Sequence, residues 1–464
     1  MAKLTFLGAT QCVTGSKFLV EATHNGRAER LLIDCGLFQG SKQLRQRNWD
    51  PLPLDPATID HVVLTHAHID HTGYLPRLVR DGFRGRIHSN AATRDLCGIM
   101  LPDSARLQEE DAEHAAYKGY SKHDPPLPLY TEEEAQESLG RFATIPNHDP
   151  HAIGSAFSVR LLTAGHILGS ASIELTVKEN GRTTTVLFSG DLGRYGQPIL
   201  EDPAAPPRAD YIVCESTYGD REHPAESPHD ALAEVVTHVT KRGGAVVMPA
   251  FAVGRTQQLM YVLRELEDWQ RIPKLPVYVD SPMAARVTDF YLAYHEEHDR
   301  EYRAEKDPLN TGEVHFTRSV EESKQINKAS FPCIIISASG MATGGRVLHH
   351  LVRRLPDSRN AVLLAGYQAE GTRGRALLEG AKNLRIHGED VQVKAEVVHL
   401  TQFSAHAGRS ELLRWLRAVP APPRQAFLVH GEPDAMQSLA SAVRDELRWP
   451  VALPDYQQSF ELRV

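Results

Sequence analysis

Cysteine, long apolar runs and positive charge are all in short supply in this chain. Its 464 residues hold five cysteines, at positions 12, 35, 97, 214 and 333. No two of them stand close enough in sequence for a Cys-type zinc ribbon or a disulfide framework, so a reducing, cytoplasmic setting is expected. No stretch is apolar for long enough to span a bilayer, and the N-terminus reads as a short strand with no signal-peptide hydrophobic region. Export and a membrane partner are therefore excluded. Lys and Arg number 51 against 59 Asp and Glu, a formal net charge of −8. Proteins that hold polyanions without selectivity carry a surplus of cations, so charge alone argues against such a binder. The basic segments that exist (Lys42, Arg45 and Arg47; Arg353 and Arg354; Arg373 and Arg375) each read as solvated faces.

What the chain does have is histidine, 23 in all, and in one place a dense cluster. Thr65-His66-Ala67-His68-Ile69-Asp70-His71 follows an apolar run, 61–64, that reads as a buried strand. A strand entering a tight loop lets two imidazoles from alternate positions face one ion, while Asp70 and His71, continuing into a helix, face a second. This spacing predicts a dinuclear site and favours zinc.

The length calls for two domains or for one domain with a large insertion. Up to about residue 200 short β-branched or Leu-rich strands alternate with turns, at 3–7, 17–21, 30–34, 61–64, 158–162, 172–177 and 184–189, a pattern that two stacked sheets accommodate. Residues 101–140 are charged and helix-favouring, interrupted by a Pro-rich stretch at 124–128, and read as surface helices with a linker. From about Tyr218 the rhythm becomes strand, glycine turn and amphipathic helix: 245–248 into 255–266, 277–280 into a helix after Ser281-Pro282, 333–337 into 347–355, and 361–365 into 373–379. Parallel βαβ units are the natural reading. After Val397 short strands and histidine-bearing turns return, so the middle of the chain reads as an insertion.

Each zinc takes about four or five donors, so more must come from downstream. Two candidates stand beside small residues just after predicted strands, His166 in Thr163-Ala164-Gly165-His166 and Asp191 in Ser189-Gly190-Asp191. Asp191 is the expected bridging ligand. With Asp34 in Ile33-Asp34-Cys35-Gly36, this set closely resembles the metallo-β-lactamase fold family, whose first four motifs are an early Asp, H-x-H-x-D-H, a later His and a later Asp. Three further stretches, Val213-Cys214-Glu215-Ser216-Thr217-Tyr218-Gly219, Gln402-Phe403-Ser404-Ala405-His406 and Leu428-Val429-His430-Gly431-Glu432, look like the A, B and C motifs of its β-CASP branch. The resemblance covers nearly the entire chain. It implies an α/β protein: an αββα metallo-β-lactamase sandwich built from residues 1–218 and 396–464, with a parallel-sheet α/β β-CASP domain inserted at 219–395.

The β-CASP branch comprises nucleases, among them the endonuclease of pre-mRNA 3′-end processing and ribonuclease J. The resemblance implies two Zn2+ per chain, held by His66, His68, Asp70, His71, His166, Asp191 and His430, with Asp34 behind the ligand loop and not on a metal. It makes His406 the acid that protonates the leaving oxygen, Glu215 the carboxylate that orients it, and Asp70 a catalytic as well as a ligating residue. The expected reaction is hydrolysis of single-stranded RNA, chiefly endonucleolytic, with a hydroxide shared by the zincs as nucleophile. Branch members that act on RNA carry His at the third motif, here His430. Backbone N–H groups of the glycine-rich turns of the insertion are suited to phosphate oxygens, so Arg255, Ser337 and Ser339 are the expected substrate contacts. The chain resembles the compact bacterial relatives of the processing endonuclease, and a homodimer is allowed. The alternatives are a hydrolase of small esters or thioesters, which leaves the insertion, Glu215 and His406 without a role, and an RNA-processing scaffold without activity.

Overall fold

The computed structural model describes residues 2–118, 126–328 and 332–463, so the Pro-rich stretch expected at 124–128 begins outside the described residues. The chain divides into two compact units. The first comprises Met1–Gly196, Asp202–Glu222 and His406–Val464, the second Gln197–Glu201 and His223–Ala405.

In the first unit one seven-stranded sheet runs in the order Ser459–Leu462, Ala2–Phe6, Phe18–His24, Arg27–Ile33, His61–Val63, Arg86–Ser89 and Phe142–Thr144. A second runs Val451–Ala452, Gln425–Val429, Tyr211–Glu215, Arg182–Phe188, Ala171–Glu179, Phe157–Thr163 and His151–Ile153. Alternation along the strands sends Phe6, Phe18, Ile33 and Val63 of the first sheet against Phe157, Leu161, Phe188 and Phe427 of the second. The Phe6 and Phe427 rings lie 5.2 Å apart and Phe18 stacks on Phe188 at 5.9 Å. On the outer face of the second sheet, Ile212 and Leu428 meet Leu412 and Trp415 of the helix Arg409–Arg417 and Leu439 of Pro433–Ala442. Leu32 and Val62, which the pleat turns to the outer face of the first sheet, are also buried.

The segment expected to supply only surface helices begins earlier and does more. The helix Ala91–Lys118 buries Leu96, Cys97, Leu101 and Ala105. Its mixed, weakly amphipathic sequence hides this, because the buried positions crowd its first half.

The second unit is a six-stranded, wholly parallel sheet in the order Val314–Phe316, Val277–Asp280, Cys333–Ser337, Ala245–Pro249, Ala361–Ala365 and Glu396–Leu400. The last strand, read from sequence with the C-terminal return, pairs with Ala361–Ala365 and so lies in this sheet. Gln197–Glu201 also belongs here: the Ile199 carbonyl accepts the Asp299 N–H at 3.0 Å, and Leu200 bridges to His298. No helix among the described residues is long and apolar enough to cross a membrane.

Candidate metal centre

All the residues that the sequence nominates as ligands or proton carriers lie in the first unit, most of them in loops or short helices that follow the ends of strands. The strand His61–Val63 leads into Thr65 and the loop 66–68, and His68 caps the short helix Ile69–Thr72 that carries Asp70 and His71. Three backbone bonds pin this turn: Ser16 N–H to the Asp70 carbonyl at 2.9 Å, Cys35 N–H to that of His71 at 2.7 Å, and Leu37 N–H to that of Ile69 at 2.9 Å. At Gly36 the chain passes so close that a Cβ would fall 1.6 Å from the Asp70 carbonyl oxygen. His166 follows the strand Phe157–Thr163, and Asp191 follows Arg182–Phe188. Their loops cross at Gly193, where a Cβ would lie 1.9 Å from the Gly165 carbonyl oxygen. Glu215 ends its strand and pairs in parallel with Val429, which brings it beside His430.

Donor atoms gather into three overlapping groups, each within 4.8 Å: His66, His68, His166 and Asp191; Asp70, His71 and His430; and Asp191, Glu215 and His406. The partners of the rings determine which nitrogens face inward. Thr65 donates its hydroxyl to Asp34 Oδ2 at 2.8 Å, so at 3.0 Å from His66 Nδ1 its oxygen can only accept, which leaves His66 Nε2 as the lone-pair atom. His71 donates Nδ1–H to Asp34 Oδ2 at 2.7 Å, and the Thr65 N–H reaches Asp34 Oδ1 at 2.8 Å. Asp34 thus grips the ligand loop and faces away from the centre. Thr217 does the same for His430: its hydroxyl donates to the His430 carbonyl at 3.0 Å and accepts from Nδ1 at 3.1 Å.

These atoms fit metal ions. His66 Nε2 lies 3.1 Å from His68 Nδ1, which lies 3.3 Å from His166 Nε2, and His71 Nε2 lies 3.2 Å from His430 Nε2. In the last pair both Nδ1 atoms donate elsewhere, so the two Nε2 atoms face one another and call for a proton or a cation between them. Asp191, in a side chain only 2 % exposed, faces His71 Nε2 at 3.3 Å through Oδ1 and His66 Nε2 at 3.5 Å through Oδ2. Burial holds His66 and His166 well below the ordinary imidazole range and His68 at about 4, so these rings are in the neutral, ligating form. His71 goes the other way. Burial disfavours its charge, but Asp191, Asp34 and Asp70 more than offset that and hold it well above the usual range. A site that draws a proton onto a buried ring is short of positive charge.

The third group differs. His406 Nδ1 donates to Glu215 Oε1 at 3.3 Å; that carboxylate is itself fixed by the N–H of Leu192 at 2.7 Å and of Thr217 at 3.2 Å. Burial lowers the His406 pKa, but the charge and hydrogen bond of Glu215, then Asp191 and Asp70, raise it to about 9. The His406 and Asp70 side chains are each 19 % exposed where Asp191, His71 and Glu215 are 1–3 %. They form the open side of the centre.

In the second unit, Ser339 Oγ pairs with Thr343 Oγ1 at 2.9 Å on an accessible turn, and Arg255 is buried at the start of its helix, donating to Gln258. Ser337, expected to meet substrate, is 1 % exposed and its hydroxyl donates to the Asp280 carbonyl at 3.0 Å. As the last residue of a central strand it is enclosed by its neighbours and serves as a strut. Sequence reasoning missed Thr65 and Thr217; each stands beside or within a motif it singled out.

Known proteins resemble this chain along most of its length. A metallo-beta-lactamase superfamily model matches residues 14–236, a Beta-Casp domain model matches 256–377, and a model for the Zn-dependent metallo-hydrolase RNA specificity domain matches 390–454. Ribonuclease TTHA0252 of Thermus thermophilus is 38% identical over 437 residues, 93% of this chain and 94% of that protein. Transcription termination factor FttA of Methanocaldococcus jannaschii is 30% identical over 457 residues, 95% of this chain and 69% of the relative. An RNase J-like protein of the same organism is 30% identical over 460 residues and covered to 98%. Among solved structures, a protein of unknown function from Enterococcus faecalis V583 shares the fold, with a TM-score of 0.52 at 11% identity, covering 99% of this chain and all of that one.

Proposed function

The chain belongs to the β-CASP group of the metallo-β-lactamase superfamily, and from that membership we propose that it is a zinc-dependent ribonuclease that hydrolyses single-stranded RNA, chiefly by internal cuts. The observation that carries this reading is the His406–Glu215 pair, set beside a donor cluster that needs cations, in a chain 38% identical to a ribonuclease.

His66, His68, His166 and Asp191 would hold one Zn2+, and Asp70, His71 and His430, with Asp191 between the two groups, a second. Bound there, zinc supplies Lewis-acid stabilisation of charge developing on the phosphate and lowers the pKa of the attacking water. The protein's own part is positioning and proton transfer. Glu215 fixes the His406 tautomer by accepting from Nδ1, so the opposite nitrogen carries the proton toward the open side. As water attacks phosphorus in line and the bond to the 3′ oxygen breaks, His406 gives that proton to the departing oxygen. Asp70, on the same open side, takes up the proton that the water sheds. Asp34, Thr65 and Thr217 keep the ligand rings from turning. Ser339 and Arg255 of the second unit are the substrate contacts in this reading.

The products are a 3′-hydroxyl and a 5′-phosphate, because the 2′-hydroxyl takes no part. Incubating the zinc-loaded protein with a single-stranded RNA and analysing the new ends by mass spectrometry tests this. Ends of that chemistry support the proposal, whereas 2′,3′-cyclic phosphates overturn it.

A further inference from the structure

The parallel sheet of the second unit has a point where its connections part. The strand Ala245–Pro249 feeds the helix Arg255–Asp268, and the chain then crosses to Val277–Asp280 on one side. Its immediate neighbour, Cys333–Ser337, feeds Val347–Arg354 and crosses to Ala361–Ala365 on the other side. Right-handed crossovers leaving adjacent parallel strands in opposite directions place their helices on opposite faces, so the two loops at the carboxyl ends separate and open a crevice. Open α/β sheets bind ligands in that place. Here the two loops are residues 250–254 and 338–346.

Phe251 stands in the first loop, and its ring is 41 % exposed in a chain whose large apolar side chains are mostly buried. No other aromatic ring lies against it among the described residues. Trp269, which is 52 % exposed, differs in this, because its ring sits 4.9 Å from His229. The Phe251 ring is also held in place. Gly340 of the facing loop passes so close that a Cβ there would fall 2.8 Å from Phe251 Cδ2 and 2.9 Å from Cε2, and the Phe251 carbonyl accepts the Thr256 hydroxyl at 2.9 Å. One part of the ring therefore rests on backbone while the rest stays open.

The surroundings favour a nucleobase as occupant. Ala250, Ala252 and Val253 are all buried, so the open apolar area is one ring wide, too small for a protein partner and matched to a single base. The hydroxyls of Ser339 and Thr343 on the facing loop offer polar partners to the sugar and phosphate of the same nucleotide. We infer that Phe251 is a stacking platform for one base of the RNA, a contact that sets substrate affinity. This inference rests on the ribonuclease reading.

The test measures initial rates of the zinc-loaded full chain and of its Phe251→Ala and Phe251→Tyr variants. The substrates are a single-stranded RNA oligonucleotide and the same oligonucleotide with abasic sites. Phe251→Ala should raise KM on normal RNA about tenfold with kcat unchanged, and Phe251→Tyr, which keeps the ring face, should match the parent protein. On abasic RNA the three proteins should share one KM. An unchanged KM for Phe251→Ala on normal RNA, or an equal loss on both substrates, overturns the inference while leaving the ribonuclease intact. Failure of the parent protein to cut either RNA overturns the functional reading, and the inference with it. Equal thermal midpoints for the three proteins confirm that the exposed ring is not a folding element.

Discussion

Glu215 and His406 show how much chemistry one charge can set. To act as an acid, His406 must hold its proton at working pH, and the Glu215 carboxylate holds its pKa up at about 9 against burial. Activity should therefore fall only as pH climbs past that region. Glu215→Gln keeps the shape and can still accept from Leu192 but removes the charge, so the alkaline limb of kcat should move down by about 1 to 3 pH units. A pH–rate profile with the same limb in both proteins would contradict the assignment. A second buried charge, Lys17, is 1 % exposed, donates to the Gly36 carbonyl and lies 4.6 Å from the Phe38 ring centroid and 4.8 Å from that of Tyr74. Burial pulls its pKa from 10.5 to about 8. Between those values the unfolded chain binds more protons than the folded one, so stability gains with rising pH. The span amounts to roughly 3 kcal/mol. Denaturant unfolding at pH 8 and pH 10 should show about 2 kcal/mol of that gain in the parent protein, and a clearly smaller one in Lys17→Met. At this scale the ligands His66, His68, Asp70 and His71 were legible because they are local in sequence. His166 and Asp191 could be nominated from their places beside small residues after predicted strands, whereas His406 and His430 needed the resemblance, since nothing within the chain marks residues 360 positions apart, such as Asp70 and His430, as neighbours. Lys17 was unreadable: a lysine in a strand predicts an exposed face.

Turns and strands decide whether those residues meet. The loop from Thr65 to Thr72 holds its shape because the backbone at residues 35–37 lies directly on it, and only glycine fits at position 36, where a Cβ would collide with the Asp70 carbonyl. Gly36→Ala must displace the helix Ile69–Thr72. It should cost about 1–3 kcal/mol as overpacking does, and it should lower the metal content by withdrawing Asp70 and His71. Elemental analysis of the purified variant, with its denaturation midpoint, checks both. A variant of full stability and full metal content would show that the contact is not a constraint. Strand positions were largely readable: 277–280, 333–337 and 361–365 match the observed Val277–Asp280, Cys333–Ser337 and Ala361–Ala365. These are continuous apolar runs between turn residues, as a doubly covered parallel sheet requires. The short strands Arg86–Ser89, Phe142–Thr144 and His151–Ile153 were not, because three or four mixed residues carry too little periodicity. Crossing backbones such as Gly193 on Gly165 are tertiary facts with no local signature.

For the molecule as a whole, the change of rhythm near Tyr218 lies close to Glu222, where the chain leaves the first unit, whereas the return at His406 has no such mark. Glu396–Leu400 looks like any short strand, and its sheet is chosen by pairing with Ala361–Ala365. The small segment Gln197–Glu201 joins the second unit through His298 and Asp299, about a hundred residues away, which no local pattern announces. Net charge gave the least. At −8 the chain is a poor candidate for non-specific RNA binding, and several of the expected basic segments have structural partners: Arg47 stacks 4.3 Å from the Tyr456 ring, Arg373 donates to the Arg385 carbonyl at 2.9 Å, and Arg375 pairs with Glu379 at 2.7 Å. Selectivity for RNA must then come from the site and not from bulk charge. The most direct test of that claim incubates the zinc-loaded parent protein and His406→Ala with a 5′-labelled single-stranded RNA and with the matching DNA. The account predicts RNA cutting by the parent, a loss of about 10²–10⁴-fold in His406→Ala at unchanged zinc content, and little cutting of DNA. Intact RNA in the presence of a fully zinc-loaded parent protein would contradict it.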